Sequence, residues 1–164
     1  TENMGAASFA KELKRHINHY YSAYKLEIYG DPAGEQRSQA DENTPFQVLD
    51  ANGIVAWPCY TNDPIIRREA VAGTMLRMDF AGNPGFLLGP KAIILRKALA
   101  GGYKYKRLQV SGSDRFMDAP DKNRYSHVAD ALQYLMLGAG EGSNVIGGYG
   151  NIAIDYAKSH RRIV

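Results

Sequence analysis

The chain has 164 residues, 45% hydrophobic and 23% charged, with a formal net charge of +3; this fits one soluble globular domain and excludes disordered and collagenous classes. No apolar run approaches the ~20 residues that cross a bilayer, and no secretory leader is readable at Thr1, so the cytoplasm is the expected compartment. Cys59 is the only cysteine, which excludes an internal disulfide and a cysteine-rich zinc site, and beside Trp57 and Pro58 it reads as a small buried hydrophobe.

From Ser8 to Tyr24, Phe9, Leu13, Ile17, Tyr20 and Tyr24 recur at spacings of three and four, which predicts an amphipathic helix. Lys25 to Tyr29 alternates polar and apolar and predicts a strand that ends at Asp31, in the breaker run Gly30-Asp31-Pro32-Ala33-Gly34. Glu35 to Thr44 is polar and reads as a loop, with a short helix or turn over Pro45 to Asn52. Ile54 to Trp57 reads as a buried strand closed by Pro58. Asp63-Pro64 has the chemistry of a helix start, and the apolar pattern carries that helix to about Met78.

Farther along, Asn83-Pro84-Gly85 predicts a turn, Phe86-Leu87-Leu88 a short strand, and Pro90 a helix ended by Gly101-Gly102. Tyr103 to Val110 reads as extended and Ser111 to Arg124 as a loop. Tyr125 to Leu137 is the clearest helix, with Val128, Leu132 and Leu135 on one face. The packed body is expected to span residues 1–138, and residues 139–164 have the composition of a flexible Gly-rich tail with a basic end at Lys158, His160, Arg161 and Arg162. Alternating strands and helices predict an α/β layer fold.

Two constellations can carry chemistry. Asp31 is a carboxylate at the end of a strand, in a loop too small to hide it, where open α/β sheets place their sites; its plainer role is to cap a turn. His127 and Asp130 lie three apart on a helix and share a face, an arrangement suited to one hard or borderline cation. Asp130 also sits in an apolar helix and needs a partner, so a salt bridge from Lys122 or Arg124 is its alternative role.

The order of elements, with Gly-Asp-Pro-Ala-Gly-Glu-Gln-Arg at residues 30–37 and Ser-His-Val-Ala-Asp-Ala-Leu-Gln-Tyr at 126–134, resembles the nuclease domain of tailed-phage large terminases. The likeness runs from about residue 5 to residue 140 and implies a ribonuclease H-like mixed sheet flanked by helices. It further implies a metal-dependent endonuclease cutting double-stranded concatemeric DNA, with two divalent ions roughly 4 Å apart, Mg²⁺ or Mn²⁺, supplying the chemistry. On this resemblance Asp31, Asp130 and His127 are the metal-binding and catalytic residues; Glu35 and Arg37 adjoin Asp31 and either support it or, equally, form a plain loop salt bridge. The implied partners are an ATPase motor domain, a portal and a small terminase subunit, in the cytoplasm of an infected bacterial host.

The family's first acid lies on an opening strand that this chain lacks, and Glu2 is in the wrong context to replace it. The expectation is therefore an incomplete metal centre or a fragment cut after that strand. The basic-aromatic alternation Tyr103 to Arg107 offers Lys104, Lys106 and Arg107 to DNA phosphates, or equally a solvated strand face. Arg67-Arg68 reads as solvated surface. No Gly-x-x-x-x-Gly-Lys-Ser/Thr loop occurs, so the chain carries no motor of its own. Other readings are a catalytically silent module that docks DNA or portal, and another ribonuclease H-like nuclease such as a junction resolvase.

Overall fold

A computed structural model describes residues 4–37, 43–108 and 115–144. Parts of the expected loops near 38–42 and 109–114, and the basic end of the tail, lie outside the described residues.

The chain enters through helix α1, Ala6–Tyr20. Its inward stripe is centred on the fully buried Ala10, with Leu13 and Ile17 half-buried, and it packs on α2. The helix stops at Tyr20, short of the expected Tyr24, and Tyr20, Tyr21 and Tyr24 are exposed. Strand β1 is only Tyr29–Gly30; it runs parallel to β2, Trp57–Pro58, with Tyr29 opposite Trp57. Of the strand expected from Lys25, only Tyr29–Gly30 takes strand form. The pairing is carried by Trp57 N–H to the Ile28 carbonyl and Cys59 N–H to the Gly30 carbonyl, both 2.9 Å. Pro58 fits because the donors on either side of it make these bonds.

Between the strands, α2 spans Pro45–Ala51 and opens with a full capping box: Thr44 accepts from Gln47 N–H while the Gln47 side chain accepts from Thr44 N–H. After β2, helix α3, Pro64–Leu76, starts where the sequence predicts, with the Asp63 carboxylate accepting from Ile65 and Ile66 N–H at 2.7 and 3.2 Å. The expected strand Phe86–Leu88 is not formed, and Leu87 is largely exposed. A tight turn stands just before it instead: Asp79 accepts from Ala81 and Asn83 N–H, and Met78 bridges Pro84. Helix α4, Ile93–Lys97, starts later than Pro90 and ends through a wide turn in which Gly101 takes φ +116°, a conformation open to glycine.

Strand β3, Tyr105–Leu108, pairs antiparallel with β4, Arg115–Pro120. The second strand falls inside the polar, breaker-rich stretch that reads as a loop, and its ladder forms because β3 lies beside it. Helix α5 spans Ser126–Gly138. Its buried face is Ala129, Leu132, Gln133, Tyr134 and Leu137, and Leu135, expected inside, is 56% exposed. The face is rotated because α5 packs on α3 along one side and on β1 along another.

The core joins Cys59 after β2, Ala70 on α3, and Tyr134 and Leu137 on α5, with Tyr29, Tyr60 and Ile66 around them. The packed body continues past Gly138 through a 3-10 turn at Glu141–Asn144 that docks on α3, where both Glu141 oxygens accept from Arg77 at 2.7 and 2.9 Å. The architecture is mixed α/β, with a two-stranded parallel sheet and a two-stranded antiparallel one. No described helix is long and apolar enough to cross a membrane.

Candidate functional site at the ends of the paired strands

Asp31 follows β1 directly and is exposed. Its carboxylate accepts from Ala33 N–H at 2.9 Å, which caps the 3-10 turn Pro32–Glu35. The ring of Phe46, on α2, lies against Gly34 so closely that a Cβ there would collide with it. Glycine at this position thus lets the turn lie flat on α2 and leaves the Asp31 carboxylate at the strand end.

Asp130 is one turn into α5, and its side chain is 18% exposed. Arg67 approaches one carboxylate oxygen at 3.8 Å and Lys122 the other at 3.3 Å. The expected ion pair with Lys122 is therefore present. Arg67 is the unforeseen partner, and the expectation that it is solvated surface fails because the first turn of α3 is pressed on α5. Its guanidinium stacks over the Tyr134 ring at 4.8 Å.

The Tyr134 hydroxyl donates to Asn62 Oδ1 at 2.6 Å. Burial first, then Asp31 and more weakly Asp130, push its ionisation upward, with Arg67 opposing. The Cys59 thiol donates to the Tyr134 carbonyl at 3.4 Å. Burial, aided by Asp31, pushes that thiol up to about 12, so it is an inert packing group, as the sequence reading holds. Asp31, far away in sequence, stands at the end of β1, which packs on α5, the helix of Asp130 and Tyr134.

His127 is exposed on α5, one turn before Asp130. Glu35 and Arg37 are exposed beyond Asp31. Lys104 and Lys106 are exposed while Tyr103 and Tyr105 are half-buried, which is the face separation that alternation predicts; Arg107 is exposed too. Arg68, read as solvated, stacks on the Tyr105 ring at 5.3 Å and donates to its hydroxyl, fastening β3 to α3.

Among the described residues no three of His, Cys, Asp and Glu gather about one point. Asp31 and Asp130 each offer a hard carboxylate donor, the type that suits an ion such as Mg²⁺, which keeps much of its water shell and takes one or two carboxylates. Sequence reasoning missed Arg67, Asn62 and Tyr134. The signal for the first two was their place around the Asp63-Pro64 helix start, directly after a strand end, and for Tyr134 its place one turn beyond Asp130. No family model, curated protein or solved structure matches the chain.

Proposed function

We propose that this chain is a metal-dependent nuclease domain of the phage terminase type, on a ribonuclease H-like architecture, that hydrolyses the phosphodiester backbone of double-stranded DNA. One observation supports the reading above the others: Asp31 stands at the end of β1, and β1 packs on α5, the helix that carries the largely enclosed Asp130. In such a site Mg²⁺ or Mn²⁺ would activate water and neutralise charge on the leaving oxygen. Asp31 and Asp130 would hold the ion, and His127, on the face of Asp130, would hold it or carry a proton. Lys104, Lys106 and Arg107 would bind backbone phosphates, a contact that positions DNA without reading its sequence. Motor domain, portal and small subunit are the partners this reading carries, in the cytoplasm of an infected cell.

The pairing of Asp130 with Arg67 and Lys122, and of Asp31 with its own turn, favours a second reading, a silent module that docks DNA or portal. Supercoiled plasmid incubated with Mn²⁺ or Mg²⁺ separates the two. Nicking that needs the metal and disappears in both Asp31→Ala and Asp130→Ala supports the nuclease. Metal-independent DNA binding without nicking, unchanged in both variants, gives the docking reading the lead.

A further inference from the structure

Arg67 is an arginine with more donors than partners. Its side chain is only 11% exposed, and arginines are seldom so enclosed unless paired. Its one ion pair among the described residues, to Asp130, is 3.8 Å long, well beyond the ~2.7–2.9 Å of a charge-assisted hydrogen bond. Its buried Nε–H has no partner among the described residues. A guanidinium carries five donors in a rigid fork, and burying a cation with donors unspent is costly unless another anion completes it.

The neighbouring Arg68 shows what a structural arginine does here. It donates to the Pro64 carbonyl and to the Tyr105 hydroxyl, and stacks on that ring. Arg67 is held as firmly, by the Tyr134 stack, but its fork is left underused beside the Asp130 carboxylate. Around it, two cations, Arg67 and Lys122, meet one carboxylate, Asp130. This leaves the set positive, and the anion that completes it is a phosphodiester.

We propose that Arg67 is a substrate-binding residue that grips a backbone phosphate of the DNA at the Asp31–Asp130 end of the sheet. The proposal rests on the nuclease reading. Planar, forked donors match two oxygens of one phosphate, and the Tyr134 ring fixes the plane before DNA arrives, so little rotamer freedom remains to be lost.

The test uses the full chain, a labelled DNA duplex and Ca²⁺ in place of Mg²⁺, with binding followed by fluorescence anisotropy over a series of KCl concentrations. Each phosphate contact contributes to the slope of log affinity against log salt, so Arg67→Gln is expected to lower that slope by ~1 and weaken binding about tenfold at fixed salt. Arg68→Gln is expected to keep the wild-type slope. A residue that only supports the fold would move thermal stability and leave the slope alone. A folded Arg67→Gln with the wild-type slope overturns the proposal. If that variant does not fold, Arg67→Lys decides: it keeps the charge and the slope but loses the fork, so affinity falls several-fold, and unchanged affinity overturns the proposal. Metal-dependent nicking that survives in a variant with unchanged slope sinks this inference alone, whereas a wild-type chain that binds no DNA sinks it together with the nuclease reading.

Discussion

Replacing Gly138 by alanine sets two opposed effects against each other. Gly138 is the last residue of α5, and alanine in a helix is favoured over glycine by up to ~1 kcal/mol. Against this, a Cβ at Gly138 would collide with the Tyr29 ring, and Tyr29 Cβ would lie only 2.9 Å from it. Rotating the ring cannot relieve a clash that reaches its own Cβ, and Trp57 stands on the ring at 5.9 Å. The backbone of α5 or β1 must shift, which costs ~1–3 kcal/mol for overpacking. The clash wins, with a net loss of ~1–2 kcal/mol and a Tm lower by about 2–8 °C for a chain of this size. Urea denaturation of wild type and Gly138→Ala measures it. Because the shift moves Asp130 relative to Asp31, nicking is expected to fall by on the order of 100-fold, beyond what the unfolded fraction explains. A variant that is more stable than wild type would refute the close approach of α5 to β1 from which the site is built.

Asp63→Ala removes the cap of two N–H groups on α3 and is expected to cost ~0.5–2 kcal/mol in urea denaturation; a loss near zero would show that α3 does not begin there. Ending the chain at Gly138 instead of Asn144 uncovers Leu137 and Tyr60, which Gly142 touches. It should lower stability by on the order of 1 kcal/mol, checked by melting the two lengths side by side. At alkaline pH the sign follows from Cys59. Its folded thiol ionises at about 12 against an ordinary 9.0, so between those values the unfolded chain loses a proton that the folded chain keeps. Stability is complete below pH 9 and falls as pH rises, at most ~1.4 kcal/mol per pH unit from this group. Tyr134 and Tyr60, also raised by burial, act in the same direction. Cys59→Ala should flatten the decline measured by urea titrations across this window, and an unchanged slope would contradict the thiol's burial.

Much of the local structure was legible in the sequence because its causes are local. Asp63-Pro64 marks the start of α3, Thr44 and Pro45 mark that of α2, and the apolar pattern after Tyr125 marks α5. Each depends on a cap or a period within one turn of chain. The misreadings fall where the deciding neighbour is remote. Phe86–Leu88 is apolar but forms no strand, while Arg115–Pro120, set in a polar, breaker-rich stretch, pairs because β3 lies beside it. The tail composition beyond Gly138 gave no sign that Glu141 would meet Arg77.

The candidate site divides in the same way. By itself the sequence determined that Asp31 would stand at a strand end and that His127 and Asp130 would share a helix face, since both follow from breaker chemistry and helical spacing. Only the tertiary structure decided that β1, which leads into Asp31, would pack on the helix of Asp130 and that Arg67 would leave solvent to lie between α3 and α5. Those contacts depend on how α3 and α5 settle against the β1–β2 pair, through packing among residues distant in the chain, and no local pattern encodes that geometry.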